Sequence, residues 1–238
     1  MNELVELWVY LAATPLFGLT ATVSVYVLAQ MASQRLGHPP LANPVFWSVL
    51  TLSALLLLTG TAYPAYFAGA QFIHFLLGPA VVALAWPMWQ RRAQLRARWP
   101  ALLAASLVGG AVAAGSAVLI GQALGLPREV LASLVPKSVT APVAMGIAER
   151  LGGIPALAAV GALLTGLTGA LSGRYLFDAL GVRVPEARGF ALGTAAHGIG
   201  AARALQVHPD AGAYAGLALG LQALLAALLL PLAAGWLG

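Results

Sequence analysis

The residues best placed to do chemistry lie in "LASLVPKSVTAPVAMGIAER", Leu131 to Arg150, where Lys137 stands between Pro136 and Pro142 inside an otherwise apolar run. Proline lacks an amide hydrogen and clashes with the carbonyl four residues back. The residue before it avoids helical backbone. The two prolines therefore predict a broken segment, with Lys137–Ala141 extended or tightly turned. Pro142 suits the first turn of a new half-helix. The free amides and positive dipole end of that half-helix would point at the break. Ser138 and Thr140 add hydroxyls and Lys137 adds a full charge. Together they predict a small anion site, with a carboxylate as the natural ligand. The plainer alternative is a re-entrant loop that is architecture alone, its lysine snorkelling to the interface. The stretch holds no carboxylate before Glu149, which favours an anion supplied by a ligand.

A second constellation is "ARGFALGTAAHGIGAARAL", Ala187 to Leu205. Gly189, Gly193, Ala196 and Gly200 have the small-xxx-small spacing that lets another backbone approach closely. Thr194 and His197 are three apart and share a helix face. His197 could hydrogen-bond substrate or carry a coupled proton, or simply bond a neighbouring helix. Arg203 lies off that face and would join the site only if the chain bends near Gly198–Gly200. Asn43, before a proline at a helix start, is a further polar candidate. Tyr63, Tyr66 and Gln71 read as edge groups. His38, His74 and His208 have weaker contexts. No metal-ligand spacing and no cofactor motif occurs, and no paired carboxylates or Ser/His motif suggest an enzyme.

The elements that must position these groups belong in a bilayer. Of 238 residues 61% are hydrophobic and only 8% charged, far below the ~25% of a soluble domain. The net charge of +5 comes from short runs such as "RRAQLRARW" between apolar segments, the pattern of cytoplasmic loops rather than of nucleic-acid binding. Cysteine is absent, which excludes disulfides and thiolate chemistry. The first thirty residues lack a basic leader and carry too long an apolar run for a signal peptide, so they read as a membrane helix.

Crossings are predicted at Leu4–Met31, Pro44–Gly60, Trp99–Leu126, Ile154–Phe177, Gly189–Leu205 and Ala213–Leu237. Two segments are interrupted: Tyr66–Trp89, holding Pro79 and Pro87, and Leu131–Glu149. "LLGPAVVALAWPM" aligns with "SLVPKSVTAPVAM", and each is followed by a Pro-Ala-Leu helix start and a Gly-rich helix ending "QALGL" or "DALGV". The arginines favour re-entry of the interrupted segments, and so inverted copies. The expected fold is an all-α integral membrane protein, a polytopic helical bundle with two inverted repeats and re-entrant segments. One transmembrane domain covers 1–238: N-terminal helices 1–75, repeat units 76–126 and 133–182, and C-terminal helices 187–238, with both termini inside.

The motifs "LLGPAVVALAWPMW", "LVPKSVTAPVAMGIAERLGGIPAL" and "ARGFALGTAAHGIGAARA" resemble the LrgB/CidB family of bacterial membrane proteins, of which YohK is a member, over nearly the whole chain. Ala201 departs from the family pattern, which has threonine there. The resemblance implies two functions. Bacterial members were named as holin/antiholin-like modulators of murein hydrolase activity, acting with a small LrgA/CidA-type partner. The related plastid protein is a glycolate/glycerate translocator, and related bacterial systems are linked to pyruvate uptake. The expectation is therefore a secondary transporter of small monocarboxylates in the bacterial inner membrane. Its expected coupling ion is a proton or sodium, and a homodimer its expected assembly.

Overall fold

The computed structural model describes residues 15–76, 79, 82–83, 85–90 and 92–232. It is helical throughout: among the described residues no strand occurs. The chain forms two compact units, Met1–Ala83 and Leu84–Gly238.

The first unit holds α1 (Pro15–Arg35), a 3-10 turn (Pro40–Ala42), α2 (Pro44–Thr59) and α3 (Tyr63–Phe75). A Cβ at Gly18 of α1 would overlap the Tyr66 carbonyl oxygen, so only glycine lets α1 and α3 approach this closely. The Thr22 and Tyr66 hydroxyls join the same pair at 2.6 Å. Residues 4–14 of the expected first crossing lie outside the described residues.

The second unit holds α4 (Ala85–Gln90), α5 (Arg92–Ala123), α6 (Arg128–Leu134), α7 (Ala141–Arg150), α8 (Pro155–Ala179), α9 (Pro185–Val207) and α10 (Pro209–Leu232). α1, α5, α8 and α10 are long and apolar enough to cross a membrane. With the composition, they make this a multi-pass membrane protein.

Between α5 and α8 the chain makes a closed excursion. At its base a Cβ on Gly121 of α5 would overlap the Leu131 side chain. Ile154 N–H donates to Ser133 Oγ at 2.7 Å, and that hydroxyl donates to the Glu129 carbonyl at 2.6 Å. α6 then enters, the backbone leaves helical form through 135–140, and α7 returns. The tip reaches Ala113 of α5, eight residues before Gly121, and Gly161 of α8, seven residues after Ile154. At 1.5 Å per residue that depth is about 12 Å, near mid-span. Leu131–Glu149 is thus a re-entrant hairpin.

α9 holds the main surprise. The sequence predicts a crossing over Gly189–Leu205, and this is corrected. Ala196 (φ −119°, ψ 16°) and His197 (φ 40°, ψ −132°) leave helical geometry, and the chain turns back on itself. A Cβ on Gly200 would lie 2.5 Å from the Leu192 carbonyl oxygen, eight residues earlier. Gly189 abuts Ala211, near the start of α10, so the two ends of α9 lie at one level. In a straight helix residues 189 and 207 would stand about 27 Å apart. α9 is therefore a second hairpin, with a rising arm 185–195 and a returning arm 198–207.

The two hairpins enter from opposite ends. The first rises from the end of α5 and the start of α8; the second from the end of α8 and the start of α10. Each hairpin with its following crossing, 128–179 and 185–232, runs in the opposite sense to the other. In the repeat read between 76–126 and 133–182, the first break covers residues 77–78, 80–81 and 84, which lie outside the described residues.

The candidate site between two hairpin tips

The tips meet in the first half of α8. Lys137 Cβ lies beside Gly161, and His197 Nε2 donates to the Ala162 carbonyl at 2.8 Å. Gly166, one turn on, faces the imidazole: a Cβ there would come within 2.9 Å of His197 Cε1. Thr140 of the first tip neighbours Gly198 of the second, 3.8 Å from where a Cβ would sit. Irregular backbone at membrane depth is tolerated only where protein or a watery cavity covers it, and here each tip covers the other.

The first tip has the predicted chemistry. Thr140 (φ −61°, ψ 147°) is the N-cap of α7, yet its side chain does not cap. The first amides of α7 lack intrahelical carbonyl partners, except that Ala144 N–H bonds the Thr140 carbonyl. Ser138 is buried; Lys137 and Thr140 are half-buried. Lys137 Nζ donates to the Ala113 carbonyl of α5 at 2.6 Å. That bond uses one of three ammonium donors and pins the tip to the crossing helix.

His197 does what the plainer reading allows: it bonds a neighbouring helix. It also holds the turn, in a backbone region that L side chains rarely adopt. With Nε2 donating, the neutral ring leaves Nδ1 as an acceptor. The chain does bend, as joining Arg203 to the site required, but the bend carries Arg203 away. It lies on the returning arm about 9 Å of helical rise past the tip, buried, with Arg174 and Tyr175 of α8 in electrostatic reach. Ala201 is buried against α10 in a cluster with Ala204, Ala211 and Ala215, a place that suits a methyl group.

Asn43 belongs to the first unit. Its Oδ1 accepts from Phe46 N–H at 3.1 Å and caps α2. Replacing a capping Asn by Ala costs about 1 kcal/mol. Asn43→Ala should lower the melting temperature of the purified protein slightly and leave any solute flux per folded molecule unchanged; a flux loss without a stability loss would return Asn43 to the site.

The sequence reading passed over one helix face. On α5, Ser106, Gly109, Gly110 and Ala113 follow one stripe. Thr194 of the rising arm packs on Gly109, and Gln222 of α10 packs on Gly110. Ser106 is 0% exposed and Thr194 and Gln222 are each 6% exposed, and Ser106 Oγ, Thr194 Oγ1 and Gln222 Oε1 have no hydrogen-bond partner among the described residues. A cavity of about 620 Å³ opens beside this stripe, lined by Ser106, Ala113, Pro136, Ser138 and Gln222 among many apolar side chains. Gln222 was visible in sequence as an amide amid an apolar run. Ser106 was not, because a membrane serine ordinarily bonds its own helix. Among the described residues no group of three or more His, Asp or Glu could hold a metal ion.

The model of the LrgB-like family matches residues 22–236. This chain belongs to that family. It is 35% identical over 210 residues to an uncharacterized protein of Haemophilus influenzae, covering 88% of this chain and 90% of that one. It is 34% identical over 185 residues to the uncharacterized protein YxaC of Bacillus subtilis, covering 78% and 80%. It is 29% identical over 210 residues to the holin-like protein CidB of Staphylococcus aureus, covering 88% and 91%. No solved structure matches the chain. The LrgB-like assignment spans both hairpins and all of α5, α8 and α10.

Proposed function

We propose that the protein is a secondary transporter of small monocarboxylates of the glycolate, glycerate and pyruvate kind, working by alternating access. One observation carries the reading: two helical hairpins enter from opposite ends and meet tip to tip beside buried polar groups. Broken helices with their irregular backbone at mid-membrane are how transporters build solute sites without exposing backbone to lipid. Each tip, moving on its own side, can open the site to one compartment while the other stays shut. Lys137 supplies the charge, the α7 amides supply donors, and Ser138 and Thr140 supply hydroxyls.

A proton, a sodium ion or the substrate gradient drives transport, and nothing in the chain is assigned to catalysis. Arg92, Arg96, Arg98, Arg174, Arg183 and Arg188 gather at the end where the second hairpin enters, and Arg128 and Arg150 at the other beside Glu129 and Glu149. By the positive-inside rule the second hairpin opens to the cytoplasm of a bacterial inner membrane. A homodimer, with a small LrgA/CidA-type membrane partner, is the assembly we propose.

The name of the Staphylococcus aureus relative favours a second, holin-like reading, which the family resemblance extends to a modulator of murein hydrolase activity and autolysis. A lesion former needs neither opposed hairpins nor a mid-membrane lysine. Reconstitution separates the two. Transport predicts saturable uptake of labelled glycolate, glycerate or pyruvate into liposomes that retain a trapped dye. No uptake above empty liposomes, together with dye release, would overturn transport in favour of the holin-like reading.

A further inference from the structure

Resting on the transport reading, we propose that Ser106 and Gln222 form a hydroxyl-reading subsite, which makes the protein select hydroxy acids over oxo and unsubstituted acids. Both side chains line the 620 Å³ cavity, and both carry a buried polar atom with no partner among the described residues. A buried hydroxyl or amide with no partner is disfavoured unless something completes it. The group that completes both must donate to Gln222 Oε1, and Ser106 can give or take the second bond. Gln222 Oε1 accepts only, its amide nitrogen donates only, and Ser106 does either. A hydroxyl meets those demands; an oxo group accepts only, and a methyl group does neither.

The geometry sets this subsite against the charge. Gln222 Nε2 lies 2.5 Å from where a Cβ on Gly110 would sit, so any side chain there would displace the amide. Lys137 bonds the carbonyl of Ala113, three residues along the same face of α5. Three residues of helix rise about 4.5 Å, on the scale of a two- or three-carbon acid. Ala113, whose carbonyl Lys137 bonds, lines the cavity together with Ser138, so a carboxylate held at that end would present its hydroxyl to Gln222 and Ser106. A plain methyl group there would leave Ser106 Oγ and Gln222 Oε1 uncompleted.

The test is competition. In proteoliposomes, glycolate, pyruvate and acetate are compared as inhibitors of labelled glycolate uptake, for wild type, Gln222→Met and Ser106→Ala; pyruvate inhibiting wild type as well as glycolate does overturns the discrimination against oxo acids. Wild type should prefer glycolate over acetate by about ten-fold or more, the scale of a completed buried hydrogen-bond set. Gln222→Met should shrink that ratio to within about two-fold by weakening glycolate, with acetate inhibition unchanged; Ser106→Ala should shrink it less. If Gln222→Met fails to fold, the Ser106→Ala ratio decides. Uptake with an unchanged ratio overturns the subsite and leaves the transporter standing. Absence of carboxylate uptake by wild type overturns both.

Discussion

Lys137→Ala should lower saturable carboxylate uptake by ten- to a hundred-fold. Hydrogen bonds to charged groups are worth about 1.5–3 kcal/mol, and each ~1.4 kcal/mol is a factor of ten. The ammonium is costly where it stands, by about 2.5–3.5 kcal/mol at mid-membrane. Its bond to the Ala113 carbonyl offsets part of that cost and leaves two donors for an anion. Three variants sort the roles. Lys137→Arg keeps the charge and should retain measurable uptake. Lys137→Met keeps much of the length and loses the charge, and should behave like alanine in flux. A tether alone predicts a different pattern: Lys137→Met would melt earlier yet transport normally per folded molecule. That pattern would remove the lysine from the site.

The first hairpin was readable because its signal is covalent. Pro136 and Pro142, six residues apart, each remove an amide donor and clash with the preceding turn, which strongly disfavours a continuous helix there, and a lysine in an apolar run points to protein or ligand, not lipid. The second hairpin has no proline at its turn. Its reversal depends on His197 adopting φ 40°, ψ −132°, outside the left-handed helical region where histidine is enriched. The turn is held from outside, by the Ala162 carbonyl and by the bare faces of Gly166 and Gly169 on α8. One signal was available. α9, with His197 and Arg203 in it, is not among the helices apolar enough to cross, although it has 23 residues. The glycine spacing was read correctly as a close-packing face, but spacing alone does not say which backbone arrives. The α5 stripe escaped for a related reason: Ser106, Thr194 and Gln222 lie on three helices, and only packing brings them together.

That glycine face carries the second large effect. Gly193→Val should destabilise the protein by 3 kcal/mol or more, beyond the ~1–3 kcal/mol usual for overpacking. The reason is what the new side chain would strike. A Cβ at Gly193 would overlap the carbonyl oxygen of Ala215, and one at Gly189 that of Ala211. Backbone of a crossing helix cannot swing aside as a long side chain can, so the rising arm itself must lift from α10. Lifting it withdraws Thr194 from Gly109 and moves the His197 turn from the Ala162 carbonyl, so the tip loses its support along with the arm. Gly220, on the same α10, is the matched control, because a Cβ there meets nothing within 4 Å. Gly220→Ala should be neutral or stabilising by up to about 1 kcal/mol, the helix-propensity difference between the two residues. Thermal melting of the two purified variants in one detergent reads the contrast directly. Equal melting temperatures would mean that the arm does not stand on α10, and a straight α9 crossing would become the better description.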